Sequence, residues 1–249
     1  MKKLIAILLV LVMVLSVAGC TKPADNTEGS TAGTTAGTEP KTDATEPKSD
    51  VMTHEEYMAA AMDSKVVVET YVQATQSWWD NKITAYCQSK DGAFFAYEMA
   101  CTQEDAAKLV PGTKIKITGT KGQWAGEIEI MDGTFEFVEG DTFVAEAFDV
   151  TALLGTDDLI KHQNEKVAFK GMTVEKIEYK NGEPGDDIYV NLALDGKSYS
   201  FCVERYLTDP ETELYKSFAT LEVGKTVDVE GFLYWYEGAN PHITAITVK

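Results

Sequence analysis

The sequence is poor in basic residues. It has 22 Lys and Arg against 40 Asp and Glu, which gives a net charge of −18. Residues 1–50 hold 5 lysines and 6 acidic residues, so almost all of the acidic excess belongs to the rest of the chain. Proteins that bind nucleic acid depend on a basic surface to neutralise phosphates. The shortage therefore predicts no nucleic acid among the partners, and the acidic surface favours solubility.

Motifs that carry chemistry are also missing. The three histidines, His54, His162 and His242, share no local motif, and the sequence contains neither G-x-S-x-G nor a P-loop. A carboxylate pair could still perform acid–base catalysis, but the acidic residues are scattered and indicate no particular pair. The acidic turn at 183–187 lacks the spacing of a calcium loop. The sequence therefore predicts a protein that is not an enzyme and has no cofactor and no metal.

Cysteine is scarce, and its number argues against a disulfide framework. Beyond residue 20 there are three cysteines, an odd count: Cys87, Cys101 and Cys202. Cys87 and Cys101 flank a predicted hairpin. A two-residue turn at Asp91-Gly92 would place Cys87 opposite Ala96, too far from Cys101 to bridge. We expect buried free thiols.

The first twenty residues read MKKLIAILLVLVMVLSVAGC. Two lysines, an apolar run and small residues follow one another in the order of a secretory signal, and the run is too short to be a spanning helix. The end, LSVAGC, resembles the lipobox of bacterial lipoproteins. The resemblance implies a signal peptide at 1–19 and a Cys20 that carries acyl chains such as palmitate. It also implies a location on the extracytoplasmic face of the cell membrane. The alternative is a secreted protein with a chance cysteine.

Residues 20–50 hold the lipidated cysteine and a predicted linker. From residue 21 to residue 50 there is no aromatic residue and no Val, Ile, Leu or Met. Such a segment cannot bury a core, so we expect a solvated tether.

The rest of the chain contains the same sequence pattern twice. KVVVETYV at Lys65 matches KVAFKGMTV at Lys166, and DGAFFAYEMA at Asp91 matches DGKSYSFCVE at Asp195. GTKIKITGT at residue 112 then matches GKTVDVEGF at residue 224. Three blocks in the same order, with insertions only between them, indicate a duplicated domain.

Each copy predicts three strands, a helix and two strands. Alternating apolar residues mark the strands, Asp-Gly marks a hairpin, and Thr102 is a candidate cap for the helix of the first copy. In the second copy Asp209-Pro210 is expected to open the helix. Late glycines in strand four, Gly119 and Gly231, suit tight bends.

This element order resembles the OB-fold. The predicted fold is mainly β: two tandem five-stranded OB-fold-like barrels, each with a helix between strands three and four. A β-sandwich is the rival topology. A short N-terminal helix is added because Thr53 and Glu56 have capping-box spacing. The first domain is predicted at 51–140, a connector at 141–164 and the second domain at 165–249, with the two barrels packed together.

All four tryptophans map to two loops of the barrels. In an OB-fold the loop between strands one and two (L12) and the loop between strands four and five (L45) flank the ligand-binding face. L12 of the first copy contains Trp78 and Trp79, and its L45, taken as 121–126, contains Trp124. We expect these two loops to be neighbours. L45 of the second copy carries the aromatic run Tyr234, Trp235 and Tyr236.

Strand phase separates the two tryptophans of L12. Steps of two along the first strand place Trp78 inward and Trp79 outward, unless a bulge resets the phase. Trp79 and Trp124 could form a ligand surface or pack on each other. The sequence thus predicts a lipid-anchored binding protein whose aromatic loops hold an oligosaccharide or a peptide. The alternative is a structural or protein–protein interaction module that docks another envelope protein.

Overall fold

The computed structural model describes residues 50–249. The predictions that concern residues 1–49, which include the signal peptide, the tether and Cys20, lie outside the described residues. The described residues belong to one compact unit. Among the described residues, no helix has both the length and the apolar character needed to cross a membrane.

The first barrel is preceded by a short helix, α1 (His54–Ala59). Both bonds of the predicted capping box are present: the Glu56 N–H donates to Thr53 Oγ1 over 3.2 Å, and the Thr53 N–H donates to Glu56 Oε2 over 3.0 Å. The barrel itself comprises β1 (Lys65–Thr75), β2 (Lys82–Ser89), β3 (Gly92–Ala100), α2 (Gln103–Ala106), β4 (Lys114–Trp124) and β5 (Glu127–Phe137).

The first sheet closes in the order β1-β2-β3-β5-β4. β3 and β5 are parallel where they meet, and β1 pairs with both β2 and β4. This is the Greek-key closure of an OB barrel. A buried core of aliphatic and aromatic side chains fills its interior, and Tyr57 of α1 belongs to that core.

The second barrel repeats this order. It comprises β6 (Phe148–Asp149), β7 (Lys166–Tyr179), β8 (Ile188–Leu194), β9 (Lys197–Val203), α3 (Glu213–Phe218), β10 (Thr226–Phe232) and β11 (His242–Val248). β10 pairs with β7, so five of the six strands form a closed ring, and β6 adds a short parallel edge. Helices α2 and α3 both lie between the third and fourth strands of their ring. The predicted fold class is confirmed.

Three local predictions are wrong in detail. The first concerns the hairpin between β2 and β3: Ser89 pairs with Gly92, so the turn is Lys90-Asp91, and Cys87 lies opposite Phe94 rather than Ala96. The ring of His54 lies over Gly92, where an added Cβ would meet it at 2.2 Å. The glycine is therefore needed for this close packing within the strand rather than for the turn.

The second correction concerns the helix of the second barrel. Asp209-Pro210 does not open α3, because Thr212 is the N-cap and its side chain accepts a bond from the Tyr215 N–H over 3.2 Å. Asp209 instead closes a preceding turn, where its carboxylate accepts from the Glu211 N–H over 2.7 Å. A hydroxyl acceptor three residues before the N–H fixes the start of the helix.

The third correction concerns L45 of the first barrel. β4 continues through Trp124, so only Ala125 and Gly126 remain as the turn. Both have positive φ, 50° and 98°, which is the geometry of a two-residue hairpin turn.

The two barrels pack against each other through an aromatic cluster. Tyr86 and Phe95, from the outer face of β2 and β3, are buried against Phe232 of the second barrel. Tyr86 stacks on Phe232 with ring centroids 4.6 Å apart, and its hydroxyl lies 2.6 Å from Nδ1 of His242. In an OB-fold the β2–β3 face is the usual ligand surface. Here part of that face is covered by the second barrel.

Candidate functional site

L12 of the first barrel holds its two tryptophans in different environments. Trp78 is partly buried against the first core, and its indole N–H donates to the Cys101 carbonyl over 2.9 Å. Trp79 is 78% exposed. A tight turn follows, in which Asp80 and Asn81 have positive φ and Trp79 exchanges two backbone hydrogen bonds with Lys82. The bulge at Val72–Ala74 shifts the phase of β1, so the turn rather than strand alternation sets the direction of Trp79.

A bulge in β3 brings a third aromatic side chain to the same surface. Ala85 pairs with Ala96 and Ile83 with Met99, so Tyr97 and Glu98 together lie opposite Thr84. Glu98 has a φ of 46°, which is uncommon for a residue with a side chain. Thr84 stabilises it, because its Oγ1 accepts from the Glu98 N–H over 3.0 Å. Bulges of this kind redirect side chains near functional sites.

The second barrel contributes the turn that follows β9. Its backbone is fixed by carboxylates: the Arg205 N–H donates to Asp187 Oδ1 over 3.1 Å, and the Tyr206 N–H donates to Glu204 Oε1 over 3.0 Å. L12 completes the lock, since the Ser77 N–H donates to the Tyr206 carbonyl over 2.7 Å. The turn is thus held before any ligand arrives, which favours a preorganised site.

These elements enclose a cleft of about 590 Å³. We call it the Trp79 cleft, and its walls come from both barrels. The first barrel supplies Trp79, Lys82, Tyr97 and Glu98, and the second supplies Arg205 and Tyr206. Trp79, Tyr97 and Tyr206 are 78%, 42% and 53% exposed.

The charges on the Trp79 cleft are mixed. Lys82 Nζ lies 2.6 Å from Glu98 Oε2, and this contact holds the pKa of Glu98 below its ordinary value. Glu98 is therefore an anion paired with a cation at neutral pH. The Arg205 guanidinium lies over the ring of Tyr206 at 5.0 Å. Aromatic rings with a few fixed polar groups are typical of ligand sites.

A second cleft of about 490 Å³ adjoins the first. It shares Gln76 and Tyr97 with the Trp79 cleft and extends over β8 and β9, where Tyr189 and Asp187 line it. Tyr236, which is half exposed, also lines it. The predicted site residue Tyr236 therefore belongs to a surface that is continuous with Trp79.

Tyr234, which also lines the second cleft, and Trp235 lie at the junction between the barrels. Tyr234 is stacked on His242 with centroids 4.4 Å apart. The ring of Trp235 packs over Gly126, where an added Cβ would meet it at 2.6 Å. Trp124 is 62% exposed but lines neither cleft. No aromatic pair among residues 50–249 joins Trp79 to Trp124.

The cysteines do not contribute to the clefts as reactive groups. Cys87, Cys101 and Cys202 are buried and free. Burial raises the pKa of the Cys87 thiol to about 12, so it stays protonated. Within the described part of the chain, no group of His, Cys, Asp or Glu side chains is arranged to hold a metal ion.

The sequence predicted only the tryptophans among the residues that line the Trp79 cleft. Arg205 and Tyr206 follow a strand of the second copy, and only the docking of the two barrels brings them next to Trp79. Tyr97 was missed because its strand reads as continuous alternation. A possible signal was Glu204-Arg205-Tyr206, a charged and aromatic run directly after an apolar strand.

Comparison with known proteins gives a likeness of fold. No protein-family model and no curated protein matches the chain. A murine DNA-binding protein solved with double-stranded DNA is 14% identical with a TM-score of 0.36, covering 73% of this chain and 94% of that one. The Ifi202 HINa domain, solved with a 20-base-pair duplex, is 12% identical with a TM-score of 0.33, covering 75% and 98%.

A third match is a replication protein A heterotrimer bound to single-stranded DNA. It is 10% identical with a TM-score of 0.31, and the match covers 74% of this chain and 49% of that one. At these identities and scores the likeness identifies neither a ligand nor an activity for this chain.

One prediction on partners is nevertheless wrong. Nucleic acid was set aside on net charge, yet several solved structures that resemble this chain are described as bound to DNA. Net charge averages the whole surface and does not describe a local site. In the Trp79 cleft, Lys82 and Arg205 stand beside aromatic rings. The net charge therefore does not exclude nucleic acid, which belongs among the ligands to be tested.

Proposed function

We propose that this protein is a non-enzymatic, lipid-anchored binding protein on the extracytoplasmic face of the cell membrane. It holds an oligosaccharide or a peptide in the Trp79 cleft. The lipobox-like sequence that ends at Cys20 supports the anchor, and metabolic labelling with palmitate tests it. One observation carries the binding function: three exposed aromatic side chains from two barrels converge on a single cleft whose backbone is locked.

The cleft suits a ligand with flat apolar faces and polar edges. Trp79, Tyr97 and Tyr206 offer ring faces for stacking at little entropic cost, since each aromatic side chain has only two rotatable bonds. Gln76, Ser77 and Thr84 add polar side chains to the lining of the same cleft. Sugar rings and extended peptides both present this alternation.

The test compares two exposed tryptophans. We expect Trp79→Ala to weaken binding about 30-fold or more, the loss typical of an aromatic hot spot, in a glycan, peptide and oligonucleotide array probed with the full chain. Trp124→Ala is the matched control, because Trp124 also stands exposed beside a two-residue turn but lines neither cleft. Unfolding free energies should change by less than about 0.5 kcal/mol in both variants.

The outcome is decisive in both directions. Equal losses of binding in the two variants would contradict the Trp79 cleft as the site. A large loss of stability in Trp79→Ala would assign that ring to the structure. If oligonucleotides alone bind, the proposed ligand class is wrong although the cleft stands.

A second candidate function is docking of another envelope protein. It is favoured by Trp124, which is 62% exposed at a hairpin tip outside both clefts. A large exposed aromatic ring is a common anchor of protein interfaces. Recovery of one stoichiometric partner from solubilised membranes, lost in Trp124→Ala and kept in Trp79→Ala, would support this function.

A further inference from the structure

Arg205 is the only arginine in the chain. It lines the Trp79 cleft, where its guanidinium lies 5.0 Å from the centre of the Tyr206 ring. Its Nε is buried and has no hydrogen-bond partner. Among residues 50–249 no carboxylate forms an ion pair with its guanidinium. A buried donor without a partner is costly, and its presence calls for an explanation.

The acidic groups nearest in the fold are already engaged. Glu204 accepts from three donors, the N–H groups of Tyr206 and Leu207 and the amide of Gln76. Asp187 pairs with Lys180 over 2.9 Å and also accepts from the Arg205 N–H. Glu98 is paired with Lys82. The backbone of Arg205 is thus fixed, and none of these three carboxylates pairs with its guanidinium. Because Nε is buried, the donors that a ligand can reach are the four N–H groups of the two terminal nitrogens.

We infer that Arg205 is the subsite for a carboxylate on the ligand, and that the ligand is an acidic oligosaccharide whose uronate group it binds. This inference rests on the proposed function. The guanidinium fork matches a carboxylate with two parallel hydrogen bonds. The fork lies over Tyr206 and lines the same cleft as Trp79, so a sugar ring can stack in the cleft while its carboxylate is bound.

The number of cations favours a single carboxylate over a polyphosphate. A nucleic acid backbone is bound by several cations in a row. Of the described residues that line the Trp79 cleft, Lys82 is paired with Glu98 and Arg205 is the remaining cation. Binding of an oligonucleotide is therefore an outcome that the test must be able to reveal.

The test measures discrimination between an acid and its ester. The full chain is titrated with a hexasaccharide of galacturonic acid and with the same hexasaccharide fully methyl-esterified. Charge-assisted hydrogen bonds are strong enough to predict about 10- to 100-fold tighter binding of the acid. In Arg205→Gln this preference should disappear, and in Arg205→Lys, which keeps the charge but loses the fork, it should be reduced.

Lys197→Gln is the matched control, since it removes one positive charge from an exposed residue that lines neither cleft. It should keep the full preference for the acid. Equal affinity of the wild-type chain for acid and ester would overturn the inference while the proposed function stands. Retention of the preference in Arg205→Gln would overturn it as well. Failure of both saccharides would overturn the inference. Binding of an acidic peptide would then leave the proposed function standing, whereas binding of a twelve-residue oligothymidylate alone would overturn both proposals.

Discussion

At the scale of single residues, Lys121 is the most unusual side chain. It is only 2% exposed, and its Nζ donates to the carbonyls of Tyr57, Met58 and Ala60 over 3.0, 2.7 and 2.9 Å. These carbonyls end α1, where a cation is favoured by the helix dipole. Burial lowers the pKa of Lys121, and the three carbonyls satisfy all three donors of its ammonium group.

We expect Lys121→Met to lower the free energy of unfolding by about 3 kcal/mol, because the Met58 and Ala60 carbonyls lose their donor and the Tyr57 carbonyl keeps only the Ala60 N–H. Denaturant unfolding measures this loss, and hydrogen exchange should show that 54–60 open more often. Lys114→Met is the control on the same strand. Lys114 pairs with Glu69 at 3.3 Å in a partly exposed position, so its loss should cost under about 1 kcal/mol. Equal costs in the two variants would show that Lys121 does not clamp the helix.

At the scale of elements, one glycine determines how β10 meets β11. Gly231 lies at a shift of register, and an added Cβ would lie 2.0 Å from the His242 carbonyl oxygen. A backbone atom cannot move aside cheaply. We expect Gly231→Ala to destabilise the protein by about 3 kcal/mol in urea unfolding.

Gly171→Ala provides the comparison in the same barrel. Gly171 has a φ of 66°, but an added Cβ would meet nothing within 4 Å. Only the strain of a left-handed conformation then applies, about 1 to 2 kcal/mol. If Gly171→Ala lowered the free energy of unfolding more than Gly231→Ala, the close approach of the His242 carbonyl would not explain why residue 231 is a glycine.

Local rules predicted much of this fold from the sequence. The capping box at Thr53 depends on interactions within a short segment, and the late glycines of strand four and the duplicated blocks are visible in the sequence itself. All of them appear in the structure. The Trp79 cleft was harder to predict from the sequence. The bulge that redirects Tyr97 and the docking that brings Tyr206 near Trp79 both depend on contacts between residues distant in sequence. Alternation shows that a strand has two faces, but not which face another barrel will cover.

At the scale of the whole molecule, a buried carboxylate lies between the barrels. Glu127 is fully buried, and its Oε2 accepts from the Trp235 N–H of the second barrel over 2.8 Å. Its Oε1 has no hydrogen-bond partner. Burial raises the pKa of Glu127 to about 8, so the folded protein holds this proton at pH values where the unfolded chain has released it.

The sign of the pH effect follows from this shift. The folded pKa lies above that of the unfolded chain, so stability present below the unfolded value is lost as the pH rises through about 8. We expect the free energy of unfolding to fall by about 1.5 kcal/mol between pH 6.5 and pH 8. Burial lowers the pKa of His242 to about 4, so its effect lies mainly below pH 6.5 and offsets the fall within this interval by only about 0.4 kcal/mol.

Glu127→Gln keeps the shape of the protonated group and removes its titration. In denaturant unfolding, the free energy of this variant should fall between the two pH values by about 1.5 kcal/mol less than that of the wild-type chain. If the free energy of unfolding falls as much in Glu127→Gln as in the wild-type chain, other groups cause the pH dependence.

The division of the Trp79 cleft between two barrels has a geometric consequence. Its aromatic walls belong to different barrels, so the width of the cleft is set by how the two barrels pack against each other. This packing includes the stacking of Tyr86 on Phe232 and the hydrogen bond from the Trp235 N–H to Glu127. The thickness of ligand that fits is thus decided by residues that line neither cleft. A substitution among them would alter size selectivity without changing any residue of the cleft walls.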